Sequence, residues 1–393
     1  MIIRKLDTNR PVDVDKFIRV SFDLYAHSPL WVSPFISDMR LVMNRDKHPF
    51  YDHSDADFFI AEKDGEAVGR LAILEKRQYN DYHHEKTAFF YYFDAADDPE
   101  VAAALFDSAA AWARERGLTK IVGPLGFTQG DSIGVLVEGH DLRPALGQAY
   151  NYDYYDRLLL NAGFVKKTDF YSGYLRGDHQ LPQRFFDIAD KVGKSRGFWI
   201  KSFKSKHELR RWVGRIQELY NAAFANNLGY SPLSLREAQI VAKRLLAIST
   251  PRLIKLVMKE SEIIGFLFAF VDITDGLRQA NGRMWPVGWL HILRDFKKSE
   301  WVNFNGAGLL PGHRGVGANA VLYAEMARTI KEYGFAHADV VQVEEENVKS
   351  MGDMSAIGVR WYKKHRVYEN ELKYFLHTEQ ETKSILSSSR SKK

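Results

Sequence analysis

Trp301-Val302-Asn303-Phe304-Asn305-Gly306-Ala307-Gly308-Leu309-Leu310-Pro311-Gly312-His313-Arg314-Gly315-Val316-Gly317-Ala318-Asn319-Ala320 is the stretch from which the rest of the chain can be read. An apolar strand runs straight into a glycine-rich turn. The turn opens a helix whose apolar positions, Ala320, Val321, Tyr323, Ala324, Ala327 and Ile330, recur at helical spacing up to Gly334. A helix N-terminus presents unpaired N–H groups and partial positive charge. Glycines let an anion approach that backbone, and Arg314 adds a fixed charge. The chemistry suits a phosphate or pyrophosphate; the other reading is an ordinary strand-to-helix turn. The G-x-G-x-x-G spacing is absent and no Gly-Lys-Ser/Thr follows, which excludes the two commonest nucleotide loops.

Outward from this turn, two patterns recur. Gly69 and Gly265, 196 residues apart, each sit in a strand–charged turn–strand unit, Phe58 to Leu74 and Leu253 to Phe270. Gly163 and Gly358, 195 apart, each end a short helix and open a strand. Two unrelated landmarks with one offset predict a duplicated α/β unit. The predicted domains are 1–178 and 179–375, with the join near Gly177 to Gln183. Residues 376–393 are predicted to be a disordered tail. Each half reads as strand, helices, two or three strands, long helix, strand, short helix and strand. In the first half the long helix runs from Pro99 to Gly117; a helix from Lys206 to Ala225 follows the first strand of the second half. The extra length falls in Gly123 to about Gln148 in the first half and includes a loop-like Thr274 to Arg283 in the second.

Composition narrows the classes. The chain has 393 residues, with 55 Lys+Arg against 50 Asp+Glu, a net +5, and no cysteine. That length predicts two or three domains at roughly 150 residues each. Without cysteine there is no disulfide scaffold, zinc–thiolate site, iron–sulfur cluster or thiol nucleophile. No apolar run reaches the roughly 20 residues of a membrane span, and no signal peptide is visible at Met1 to Asp7. A soluble, cytoplasmic protein with no membrane partner is expected. No basic, aromatic-interleaved stripe is present, so a nucleic-acid partner is not expected. Tyr79 to His84 holds adjacent histidines without metal spacing, and no metal is expected. Oligomeric state is not legible.

Leu310 to Ala318 resembles the acyl-CoA-binding segment of the GCN5-related N-acetyltransferase (GNAT) superfamily, Arg/Gln-x-x-Gly-x-Gly/Ala after the central strand. Arg314 and Gly317 match it, while Asn319 stands at the last small position. The element order and the Gly163-Phe164 ending are also similar. Over about residues 1–375 the chain resembles tandem bacterial proteins of this fold. The residues that carry this are Pro29-Leu30-Trp31-Val32-Ser33-Pro34, His48-Pro49-Phe50, and Gly123-Pro124 through Gly134 and Gly139 to Tyr150-Asn151. The resemblance implies a mixed central sheet flanked by helices, two GNAT-like domains, and acetyl-CoA or another acyl-CoA as co-substrate. Leu309, Leu310, His313, Arg314, Gly315, Val316, Gly317, Ala318 and Asn347 are the implied cofactor-binding residues. The implied reaction is transfer of the acyl group to a small amine.

The matching turn of the first half is Phe93-Asp94-Ala95-Ala96-Asp97-Asp98-Pro99-Glu100. Asp98 is a predicted N-cap and Pro99 a predicted first helical residue. Four carboxylates without Arg or Gly repel a pyrophosphate, so the first half is expected to be a degenerate copy. Acyl transfer to an amine needs a proton acceptor and no protein nucleophile. Glu344, Glu345 and Glu346 end a strand, and alternation turns one or two of them inward; Glu345 is the chosen candidate. The family's usual tyrosine acid is missing from the helix after this strand, while the first-half copy has Tyr154 and Tyr155. Tyr362 is the substitute candidate. Two alternatives remain: a non-catalytic CoA-binding or interaction protein, and a Fem-like aminoacyl transferase.

Overall fold

A computed structural model describes residues 1–225 and 227–375. The tail expected to be disordered, 376–393, lies outside the described residues.

Thirteen strands form one mixed sheet. The first half supplies β1 (Ile2–Lys5), β2 (Asp55–Lys63), β3 (Glu66–Glu75), β4 (Thr87–Ala95), β5 (Lys120–Gly123), β6 (Val135–Glu138) and β7 (Val165–Arg176). The second supplies β8 (Phe198–Ser202), β9 (Ile254–Lys259), β10 (Glu262–Val271), β11 (Trp301–Leu309), β12 (His337–Glu344) and β13 (Arg360–Glu371). The order is β1-β2-β3-β4-β5-β13-β7-β12-β11-β10-β9-β8, with β6 beside β13. The last long strand of each half therefore lies beside the fifth strand of the other. β13 pairs antiparallel with β5 and β7, and β7 pairs antiparallel with β12. The order is symmetric about the β13–β7 seam. Arg366 of β13 makes a two-pronged bond to Asp169 of β7 there, at 2.7 and 3.0 Å.

Helices cover both faces. In the first half these are α1 (Pro11–Leu24), α2 (Ile36–Met43), α3 (Arg77–His83), α4 (Pro99–Glu115) and α5 (Tyr154–Asn161). α6 (Gln183–Arg196) follows the join. The second half adds α7 (Lys206–Arg210), α8 (Val213–Phe224), α9 (Leu235–Ile248), α10 (Thr274–Ala280), α11 (Gly288–Lys298), α12 (Ala318–Tyr333) and α13 (Val348–Ala356). The α4 stripe of Val101, Leu105, Ala109 and Trp112 is buried in a core with Phe90, Phe93 and Tyr155. Asp98 caps α4 by accepting from Glu100 N at 3.0 Å, with Pro99 in the first turn as the sequence predicts. α12 packs on the second half's sheet through Val321, Leu322 and Ala324, with Ala189 of α6 in the same core.

Three elements differ from the sequence reading. Lys206 to Ala225 is broken at Arg211 and Trp212 into α7 and α8. α6 was not anticipated; it packs along α12, a surface the sequence pattern does not reveal. Thr274 to Arg283, expected to be a loop, begins with α10. Its Gly276 leaves room for α11, since a Cβ there would come within 2.8 Å of Ile292 Cα.

Candidate active site

β12 pairs with β11 only over Trp301–Phe304. Asn305 stands at a bulge, and from Gly306 to Leu309 the strand is paired on the β10 side alone, so a row of backbone donors and acceptors faces the gap between diverging strands. At the end of that edge stands the glycine turn. Gly315 and Gly317 have φ of 74° and 88°, the left-handed region glycine enters without penalty. A Cβ at Gly312 or Gly315 would meet nothing within 4 Å, so this backbone is open to approach. The amides of Gly315, Val316 and Gly317 donate to no backbone carbonyl among the described residues. Arg314 braces the turn, donating to Leu309 O at 3.2 Å and to Ala223 O at 2.7 Å. Beside the turn a cleft of about 410 Å³ is lined by Arg196, Lys259, Gly312, His313 and Val316 among others. His313 packs edge-on against Phe198, and its buried Nδ1 has no partner among the described residues. Open amides, a helix start and three basic side chains make this a place where an anion can sit.

The corresponding edge in the first half is filled. Leu125 N donates to Phe90 O at 3.0 Å, continuing the pairing past β5. Tyr154 OH donates to Ala95 O at 2.9 Å, and Ala95 N donates to Tyr155 OH at 3.3 Å. Leu125 and Phe127, from the insertion after β5, are buried against Phe50 and Phe58. At the helix start Asp98 also takes the Lys63 ammonium at 2.8 Å. The Lys63 bond and the Glu100 amide hold its carboxyl below the usual range.

A buried polar group crosses the sheet near the start of the gap. Asp339 on β12 lies in register with Asn303 on β11. Tyr362 OH donates to Asp339 Oδ1, and Lys363 Nζ donates to Tyr362 OH at 3.1 Å and to Arg143 O. Arg143, from the first-half insertion, bonds Asp272 at 2.8 Å. Asp339 Oδ2 and Asn303 Nδ2 are buried and have no partner among the described residues. Burial raises the Asp339 carboxyl to about 6. Burial also lowers the Lys363 ammonium to about 8. A carboxylate near 6 with one free oxygen can accept a proton near neutral pH.

No family model matches the chain. It is 24% identical over 372 residues to a bacterial ceramide synthase of Caulobacter vibrioides, covering 92% of this chain and 96% of the relative. It is also 24% identical over 368 residues to the protein YghO of Escherichia coli, covering 92% and 93%. Among solved structures, a tandem GNAT protein from the clavulanic acid biosynthesis pathway aligns with a TM-score of 0.51 at 12% identity, covering 94% of this chain and 98% of that one. The chain has the tandem GNAT fold. A GCN5-related glucosamine N-acetyltransferase region of a fungal multidomain β-N-acetylglucosaminidase also aligns, with a TM-score of 0.51 at 13% identity, covering 94% of this chain and 38% of that one.

Within this GNAT fold the sequence-predicted residues divide into four places. Leu309, Leu310, His313, Arg314, Gly315, Val316, Gly317 and Ala318 come together in the turn, as their contiguity requires. Asn347 caps α13, its Oδ1 accepting from Ser350 N at 3.1 Å. Asn319, at the family's small position, ties α12 to α13 through Asp353 at 2.6 Å. Glu345 is fastened to β7, accepting from Asp169 N at 3.0 Å and Lys166 Nζ at 2.9 Å. Glu344 has its carboxyl raised by burial, with Glu346 adding to the shift. Tyr362 belongs to the Asp339 group. Asp339, Asn303 and Arg143 were not read as site residues. The one available signal was a lone acid inside the apolar run Ala338–Val341, two residues after β12 begins.

Proposed function

We propose that the chain is an acyl-CoA-dependent N-acyltransferase. The glycine turn takes the pyrophosphate, the unpaired edge of β11 takes the pantetheine amides, and the Asp339–Tyr362 group handles the amine's proton. The observation that carries this is the contrast between equivalent edges. The β11 edge is left unpaired by β12 from Asn305 on, with Arg314 reaching only Leu309 O at its end, while the first-half edge is closed by Leu125, Tyr154 and Tyr155. One donor site per chain, in residues 179–375, follows.

In the step proposed, a neutral amine nitrogen attacks the thioester carbonyl. The carbon–nitrogen bond forms, the carbon–sulfur bond breaks, and the amine proton passes to Asp339 Oδ2. Tyr362 keeps the other oxygen occupied and so directs the free one. The thiolate departs and takes a proton from water. The relative named ceramide synthase makes a long-chain amino alcohol the first acceptor to try, with a fatty acyl-CoA as donor.

Calorimetric titration of acetyl-CoA and a long-chain acyl-CoA into the wild type and Arg314→Glu tests the donor site. Binding with a stoichiometry of one, weakened at least tenfold by the substitution, is expected, because a carboxylate beside the open amides repels the pyrophosphate. No binding to the wild type overturns the reading. Binding without turnover on an amine panel that includes amino alcohols replaces it with a CoA-binding protein.

A further inference from the structure

Six of the 17 large apolar side chains exposed among the described residues fall within ten positions: Met284, Trp285, Val287, Trp289, Leu290 and Leu293. Trp285 is 73% exposed. α11 explains the clustering. Its Ile292 and Phe296 pack into the core, and Asp295 turns inward to accept from Gly276 N at 2.6 Å. Trp289, Leu290 and Leu293 are left on the outer side, with Trp285 beside Trp289 at 6.1 Å between ring centroids. Arg283, Arg294, Lys297 and Lys298 surround them, all exposed. The surface is held firmly. Ile36 N donates to Gly282 O at 3.0 Å, and Arg278 bonds Pro29 O at 2.8 Å.

Against the expectation of no membrane partner, we propose that this surface docks on an anionic lipid bilayer, with α11 lying in the headgroup layer. Large apolar side chains exposed in such a cluster mark an interaction site. Its chemistry selects a membrane over a protein. Paired tryptophans suit the water–hydrocarbon boundary. Lysine is depleted where proteins meet, whereas Lys297, Lys298, Arg283 and Arg294 complement anionic headgroups and reach them on flexible stems. Position fits as well. The patch precedes Trp301 at one end of β11, and the glycine turn begins at the other end, eight residues on. At about 3.3 Å per residue the strand between those ends is about 26 Å long. A docked molecule keeps the turn in water, and the Asp339 group lies between. The proposal stands on the patch and does not depend on the acyl-transfer reading.

The full chain is sedimented with phosphatidylglycerol vesicles and with phosphatidylcholine vesicles at low salt. Quenching of its tryptophan emission by brominated lipid is followed in parallel. Binding to the anionic vesicles with quenching is expected. Trp285→Glu with Trp289→Glu should lower the partition at least tenfold. Lys297→Glu with Lys298→Glu should lower it severalfold on phosphatidylglycerol and leave phosphatidylcholine unaffected. Trp199→Glu, an exposed tryptophan on β8, should change nothing. The proposal fails if the wild type does not bind phosphatidylglycerol, or if the tryptophan pair is replaced without loss. It also fails if sedimentation velocity shows a dimer that the tryptophan substitutions convert to monomer. Quenching in the wild type needs no substitution, so a misfolded variant does not leave the question open.

Discussion

Asp339 carries an oxygen that nothing described in the fold bonds, and a proton acceptor needs such an oxygen. Burial lifts its carboxyl to about 6, and Tyr362 and Lys363 oppose that lift. If Asp339 takes the amine's proton, activity rises with pH through a midpoint near 6, because only the carboxylate accepts. Asp339→Asn should lower kcat by about 100-fold or more. Tyr362→Phe removes a bond that favours the charged form, so the acid limb should move to higher pH with a smaller loss of rate. A pH–rate series on the three proteins checks this; an unmoved limb in Tyr362→Phe separates the tyrosine from the acid. Tyr362 was a sequence candidate because the usual tyrosine was missing downstream. Asp339 was not, since one acid among apolar residues does not say which face of the strand is lined with partners.

The difference between the two sites is decided at the level of elements. β4, between β3 and β5, and β11, between β10 and β12, hold equivalent places in the sheet, but α5 brings Tyr154 and Tyr155 onto the β4 edge while α13 has no tyrosine to bring. The acidic helix start at Asp98 was legible in the sequence; the closed edge was not, because it needs α5 and the insertion folded against β4. Gly317 is the point where α12 depends on glycine. Its φ is 88°, and a Cβ there would stand 2.8 Å from Val192 Cγ2 on α6. Gly317→Ala should cost about 1–3 kcal/mol of stability and weaken donor binding, measured by denaturant melts and titration. Val192→Ala added to it should recover part of the stability but not the backbone strain. α10 and α11 escaped the sequence reading because their helices are short and bounded by Asn281, Gly282 and Pro286, the residues that signal turns.

Across the whole molecule the crossed strands matter most. Residues 1–178 and 179–375 read along the chain as separable units, and we read them as two copies of one domain. In the sheet each completes the other, through β13 beside β5 and β7 beside β12. Residues 179–393 produced alone should therefore stay largely unfolded by circular dichroism and fold when mixed with 1–178. Independent folding of either piece would count against this. The seam bond supplies a second check. Burial opposes the charge on Asp169, but Arg366 and Lys166 overcome it and hold the carboxyl below the usual range. Its stabilisation is thus complete above the unfolded carboxylate value of about 4 and is lost as pH falls through the lower folded value. Arg366→Ala should cost about 2–3 kcal/mol near neutral pH, somewhat less than a fully buried pair because the arginine is partly exposed. The cost should shrink in acid, as chemical denaturation at pH 7 and pH 3 would reveal.

The amino-acid sequence by itself determined the duplicated element order, the glycine turn that opens α12 and the acidic turn that opens α4. These are local: helix caps, turn glycines and apolar spacing act over a few residues and leave their mark in the string. Tertiary structure decided which edge stays open, which acid is buried with a free oxygen, how the last strands cross, and which face of α11 is left bare. Each of those depends on partners that other elements bring in, Tyr362 to Asp339 across 23 positions and Tyr154 to Ala95 across 59, or on which side of a short helix the core claims, and neither is written in the spacing of neighbouring residues.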